Sequence, residues 1–215
     1  MSKDLISIII PCYQAAKTLD KTLNDIYNQT YEPIEIIAVN DGSTDKTGEI
    51  LDQHQDRILV IDQDNNGAPA ARNAGFERSK GGYILFCDAD VRLNPRMIEL
   101  MHQTLLNNPD KAYCYSNFKF GVHTFDLFPF DPERLEKENY ISTMSLIRRE
   151  NFIGFDESLS KFQDWDLWKR MLRKNYYGVW HPERLFSSPI NKGGISGYSL
   201  IGLLKIIYRK LKLNK

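Results

Sequence analysis

The chain has 215 residues, with 28 Lys and Arg balanced by 28 Asp and Glu, 42% hydrophobic residues and three cysteines. That length suits one compact domain with a sizeable core, and the balanced charge gives no chain-wide basic field of the kind nucleic acid requires. Cys12, Cys87 and Cys114 lie far apart, in neither a metal-ligand spacing nor an even-numbered disulfide set, which fits a reducing compartment.

The N-terminal apolar run Ile6 to Ile10 is short and closes on Pro11 without a cleavage pattern, so no signal peptide is expected. Ser7 to Cys12 reads as a buried strand, and Leu19, Leu23, Ile26 and Tyr27 then recur at helical spacing. Ile34 to Val39 reads as a second strand, ending at Asn40-Asp41-Gly42-Ser43-Thr44-Asp45, a turn cluster that can cap a helix through Glu49, Ile50 and Leu51. Ile58 to Ile61 follows as a third strand, Asn65-Asn66-Gly67 as a turn, Ala68 to Arg78 as a helix, and Tyr83 to Cys87 as a fourth strand.

Next, Asn94-Pro95 predicts a helix start, an Asn cap with Pro at the first helical position, and Ile98, Met101 and Leu105 mark its buried face. Ala112 to Ser116 reads as another strand. From Phe118 to Tyr140 the pattern weakens into aromatics and charges, read as a loop or hairpin near the site. Ser142 to Ile147 resumes an apolar run, and Asp164 opens a helix through Lys174 that carries Trp165, Trp168 and Leu172. This alternation implies an α/β domain with a mostly parallel central sheet flanked by helices, binding ligands beyond the carboxyl ends of its strands. Residues 1–198 are assigned to the domain and 199–215 to a basic amphipathic tail.

The fourth strand runs into Asp88-Ala89-Asp90. In an extended chain residues two apart face the same way, so both carboxylates would converge on a hard cation such as Mg or Mn. The alternative is a solvated loop whose Asp caps the next helix.

Five segments, in order, carry a resemblance: Ser7-Ile-Ile-Ile-Pro11-Cys-Tyr13-Gln14; Val39-Asn-Asp41-Gly-Ser-Thr-Asp45; Asn66-Gly-Ala-Pro-Ala-Ala-Arg72-Asn73-Ala-Gly75; Phe86-Cys-Asp88-Ala-Asp90; and Gly154-Phe-Asp156-Glu157 leading to Gln163-Asp164-Trp165-Asp166-Leu167-Trp168. With them the chain resembles the inverting, nucleotide-sugar-dependent glycosyltransferases of family 2, which have the GT-A fold, a single Rossmann-like domain. The resemblance implies transfer of a sugar from a nucleoside-diphosphate donor, commonly UDP-linked, to a hydroxyl of a glycan or lipid-linked acceptor.

It also implies roles. Pro11 and Tyr13 would present an apolar wall and a phenol to the nucleoside, or simply pack at a strand end. Asp41 would accept hydrogen bonds from base or ribose, or else stabilise the Gly42-Ser43 turn. Arg72 would reach a phosphate or brace the acidic cluster, or lie solvated on its helix. Asp88 would contact the nucleotide or the metal's hydration shell, and Asp90 would bind the cation. Asp164 would be the general base, or merely cap its helix. Its helix N-terminus favours the anion and its aromatic neighbours disfavour it, so the direction of its pKa stays open.

Two departures stand out. The family usually writes Glu-Asp where this chain has Gln163-Asp164, and Asn191 and Lys192 stand where relatives often carry a metal-binding His; the third ligand is then either His181 or no protein group, the diphosphate and water filling those positions. A metal-dependent phosphatase, a sugar nucleotidyltransferase and a non-catalytic nucleotide-sugar-binding module are the competing readings.

A cytoplasmic location is expected. In the tail, Leu200, Leu204, Ile207 and Leu211 recur opposite Lys205, Arg209 and Lys212, so peripheral contact with an anionic membrane is weighed against docking on the domain or a disordered end.

Overall fold

The computed structural model describes residues 4–189, and the tail reading falls outside them. In chain order the elements are β1 (Ile6–Cys12), α1 (Leu19–Tyr27), β2 (Ile34–Asp41), α2 (Thr47–Asp52), β3 (Leu59–Gln63), α3 (Ala68–Arg78), β4 (Tyr83–Phe86), β5 (Arg92–Leu93) and α4 (Met97–Leu106). Then come β6 (Tyr113–Phe120), β7 (His123–Phe125), α5 (Pro132–Lys137), β8 (Leu146–Arg148), a short 3₁₀ turn (Arg149–Asn151), α6 (Gln163–Arg173) and β9 (Gly178–Ser188). The described strands form one sheet in the order β3-β2-β1-β4-β8-β6-β9-β5, with β7 paired to β6.

The expected parallel core is β3-β2-β1-β4, whose neighbours all pair parallel. Beyond β4 the direction mixes: β8 runs antiparallel to both β4 and β6, while β9 is parallel to β6. The period-two alternation of side chains explains the two faces. Ile6, Ile8 and Ile10 point to one side, where they meet Leu19 and Leu23 of α1 and Met97, Met101 and Leu105 of α4. Ile9, Val39, Ile84 and Phe86 point to the other, where Ala71 of α3 and Leu167, Trp168 and Met171 of α6 cover them. A strand set buried on both sides reads as continuous apolar residues, which is how β1 and β4 look in sequence.

Three local expectations are corrected. The fourth strand stops at Phe86, not Cys87, and Ala89-Asp90 lie in a turn rather than an extended segment. Helix α4 starts at Met97: Asn94 makes the preceding turn, its carbonyl accepting from Met97 N and its Oδ1 from Arg96 N, because two-residue β5 holds the chain extended up to that point. The stretch 118–140 contains a hairpin, β6 to β7 around Gly121 at φ 57°, and also a helix, α5. Asp131 caps α5 by accepting from Arg134 N at 3.0 Å, with Pro132 at its first position. Its aromatics are largely packing groups: Phe118 stacks between Phe125 and Phe186 at 4.7 and 5.1 Å.

Helix α3 approaches β1 and β2 closely because its inner face is small. A Cβ added at Gly75 would sit 2.4 Å from Ile9 Cγ2 and 3.2 Å from Val39 Cγ2, both on buried strand residues. Helix propensity alone would make Gly75→Ala stabilising by ~1 kcal/mol, but overpacking a tight core costs ~1–3 kcal/mol. The steric term is therefore expected to win, with G75A losing up to ~2 kcal/mol of unfolding free energy in a denaturant titration; a gain would show that the helix-to-sheet contact yields.

Candidate active site

The parallel register places the ends of β1, β2 and β4 along one edge, and five of the sequence-predicted residues come from those ends. Pro11 is half-buried within β1, while Tyr13, just beyond it, is 52% exposed. Asp41 ends β2 and is buried. Its carboxylate is engaged by the protein's own donors: Oδ1 accepts from Gln63 Nε2 at 2.7 Å and Asn66 N at 2.9 Å, and Oδ2 from Gly67 N at 2.9 Å. The turn it stabilises is thus the 65–67 loop opening α3 rather than Gly42-Ser43. Gly67 enters that helix at φ 88°, a conformation glycine adopts without a Cβ clash.

Asp41 thereby fixes where α3 begins, and so where Arg72 points. Arg72 is neither solvated nor on an outer face: it is 6% exposed. Its Nη2 donates to Asp88 Oδ1 at 2.9 Å and its Nη1 to Gln163 Oε1 at 3.1 Å, with the Phe155 ring 5.3 Å from the guanidinium carbon. One planar cation therefore joins α3, the end of β4 and the start of α6. Arg72 Nε is buried without a hydrogen-bond partner.

The acidic turn is fastened from the opposite face. The buried Thr22 hydroxyl lies 3.1 Å from Ala89 O and 3.0 Å from Val91 O, shared between the two carbonyls. Asp25, one helical turn on, accepts from Leu93 N at 3.0 Å and from Arg92 Nε and Nη2 at 2.6 and 2.9 Å. Burial raises the Asp25 pKa, but these bonds outweigh it and hold the carboxyl below its ordinary range. Sequence reading missed both residues, which look like the polar face of α1.

Asp164 lies in the first turn of α6, whose N-cap position is Phe162 rather than Asp164. Its Oδ1 accepts from Trp165 N at 2.8 Å. The pKa direction left open by the sequence is upward: burial raises it, against hydrogen bonds from the Asn139 side chain and Trp165 N–H and the charge of Arg72. Gln163, 8% exposed, also donates to Leu159 O at 3.1 Å, so this amide anchors α6 to the loop before it. A further anchor is Asn73, whose Oδ1 accepts from Phe155 N while Nδ2 donates to Phe155 O and Glu157 Oε1, all at 2.8–2.9 Å.

His181 lies elsewhere. Its Nδ1 is 3.0 Å from Thr104 Oγ1 on α4 and its Nε2 3.6 Å from Glu183, so its neighbours are a helix hydroxyl and its own strand, not the acidic turn. Among the described residues no group of three or more His, Cys, Asp or Glu side chains could hold a metal ion. Two carboxylates do suit a hard cation: Asp88 keeps 40% of its side chain exposed beyond the Arg72 contact, and Asp90 shares its turn. The three cysteines are buried and unpaired, with burial pushing the Cys12 thiol up to about 12. No helix among the described residues is long and apolar enough to cross a membrane.

This topology and edge are those of a known class. Residues 7–198 match the family model described as "Glycosyl transferase family 2", and the chain belongs to that family. Streptococcus pneumoniae glycosyltransferase GlyA is 41% identical over 106 residues, which is 48% of this chain and 15% of GlyA. An uncharacterized glycosyltransferase of Rickettsia typhi, RT0329, is 33% identical over 195 residues, covering 79% of this chain and 59% of its own. The chain thus spans less than two thirds of the length of these relatives.

Among solved structures, S. aureus TarS 1–349 in complex with UDP superposes with a TM-score of 0.69 at 22% identity, over 86% of this chain and 60% of that one. The mannosyltransferase PcManGT from Pyrobaculum calidifontis, in complex with GDP-Man and Mn2+, gives 0.70 at 18% identity, over 88% and 58%. The shared fold is the GT-A arrangement.

The raised Asp164 pKa has a consequence for stability. A carboxyl whose native pKa lies above its unfolded value contributes stability below the unfolded value, ordinarily 3.8, and loses it as pH rises through the native one. Asp164→Asn should therefore melt higher than the parent at pH 7, with the gap closing on acidification below about pH 4. Thermal scans at both pH values check this; an equal gap at both would show that the carboxylate charge is not the cause.

Proposed function

We propose that this chain transfers a sugar from a nucleoside-diphosphate donor, UDP-linked in the first instance, to a hydroxyl of a glycan or lipid-linked acceptor, with inversion at the anomeric carbon. The observation that carries the reading is the Arg72 bridge, which holds the acidic turn after β4 against the helix start bearing Asp164. Asp88 and the residue before Asp164 are thereby tied to one guanidinium. Family membership and the UDP and GDP-Man complexes of the structural neighbours support the donor class.

In this reading Pro11 and Tyr13 frame the nucleoside. Asp41 shapes the adjoining loop and keeps lone-pair capacity for the nucleotide, three of about four acceptor positions being taken. Asp88 and Asp90 would hold Mg or Mn, with the diphosphate and water completing the coordination. Such a cation offsets the charge that develops on the leaving diphosphate. Asp164 takes the proton from the acceptor hydroxyl as that oxygen attacks the anomeric carbon. The sugar-to-phosphate bond breaks on the opposite face, and its electron pair leaves with the diphosphate. Burial favours this step by raising the carboxylate's affinity for a proton, against the opposing Asn139 hydrogen bond and Arg72 charge.

Two measurements test the assignment. Calorimetric titration with UDP should show tighter binding with Mg or Mn than with chelator, and Asp90→Ala should abolish the difference; identical affinities in the parent protein would remove the cation from the reading. Asp164→Asn should leave UDP binding intact while lowering single-turnover transfer by ~10²-fold or more. Unchanged transfer, or loss of UDP binding with it, would take base chemistry away from Asp164.

A further inference from the structure

Phe162 is carried against two stability preferences at once. Its φ is 57°, in the left-handed region where a bulky aromatic is an outlier and glycine sits without strain. Its side chain is 61% exposed in a protein whose other aromatics are mostly packed. The contact recorded for its ring is an edge-on one with Trp165, centroids 6.0 Å apart. Trp165 is fixed in turn: its Nε1 donates to Leu135 O at 2.6 Å, and Lys169 Nζ lies 5.0 Å from its ring centroid. Trp165 thus braces Phe162.

Neither fold nor core requires an aromatic at this position, but the site gives it a place. Phe162 immediately precedes Gln163, which touches Arg72, and Asp164, the proposed base. Strained backbone conformations persist where function selects them. From this juxtaposition we propose that Phe162, braced by Trp165, is the stacking platform for a pyranosyl ring of the acceptor.

The ligand class follows from the chemistry. A bare phenyl face offers flat apolar surface and no hydrogen bond, so its partner must present a flat apolar face of its own. That partner must also place a hydroxyl at the neighbouring carboxylate, and the C–H face of a pyranose ringed by hydroxyls does both. A lipid chain supplies no such hydroxyl. A nucleobase stacks equally well, but the nucleoside belongs to the β1 edge at Tyr13. The inference rests on the glycosyl-transfer reading and narrows it: the acceptor presents a sugar ring, whether free or lipid-linked.

The test uses the full chain with UDP and Mg, and the methyl β-pyranosides of glucose, galactose, mannose and N-acetylglucosamine as probes. Saturation-transfer NMR should show at least one of them bound through ring C–H protons. Phe162→Gly, which accommodates φ 57° without strain, should fold as well as the parent and weaken that binding by roughly tenfold, the scale of one aromatic contact. Phe162→Tyr should retain it. Should the glycine variant fail to fold, Phe162→Leu against Phe162→Tyr decides, since leucine keeps apolar bulk without a flat face.

Equal binding by the glycine or leucine variant overturns the inference. So does UDP binding by the parent with no pyranoside bound, which would leave the donor reading standing. Absence of binding to both UDP and GDP would overturn the two together.

Discussion

The Arg72 guanidinium is the contact on which the site's geometry depends. It is buried, and a buried cation is tolerable only with compensating charge and hydrogen bonds. Asp88 supplies the charge, and Gln163 supplies a neutral acceptor. Removing either partner would leave the cation undercompensated, so the end of β4 and the start of α6 are held together by the cost of separating them. The neutral amide at 163 has a second effect: Arg72 is neutralised by one carboxylate in this bridge instead of two, leaving more of its positive field for Asp164, the next residue on α6.

Around that cation the scaffold works in layers. Asp41 sets the loop that starts α3, α3 sets Arg72, and the glycine-lined approach of α3 to β1 and β2 sets the depth at which the guanidinium sits. From the other face of the sheet, Thr22 and Asp25 hold the 89–93 segment, so the acidic turn is positioned by α1 as much as by the strand it leaves. A turn carrying two carboxylates would otherwise splay under its own repulsion.

Much of this was legible in the chain. The parallel core and its helices were readable because continuous apolar runs and helical spacing are strong local signals, and β1, β2, β4 and α3 lie where those signals put them. Asp88 and Asp90 stood out as candidates from their position after a strand, although the extended geometry assumed for them gave way to a turn at Ala89-Asp90. Two-residue β5 carries no periodicity to detect. Helix α5 was detectable: Asp131-Pro132 is a cap followed by proline at the first helical position, but the surrounding phenylalanines drew attention away from it. Thr22, Asp25 and Asn139 were invisible for a different reason. Their partners lie 67, 68 and 25 positions away in sequence, and nothing local distinguishes them from ordinary polar surface. The pKa of Asp164 was undecidable until burial and helix terminus could be weighed in one structure.

The Asn73 contact to the 154–157 loop has a meaning beyond anchoring. Its side-chain amide accepts from Phe155 N and donates to Phe155 O, as the facing peptide of a neighbouring strand would, and its second N–H goes to Glu157. The side chain is in effect a fragment of backbone lent by a helix to a loop with no strand beside it. Such mimicry demands donor and acceptor in one plane at one reach. An aspartate has the shape without the donor, a glutamine the donor one methylene too far out, and an aliphatic isostere neither donor nor acceptor. The position is therefore restricted by the grammar of peptide pairing, a demand that holds whatever chemistry is carried out beside it.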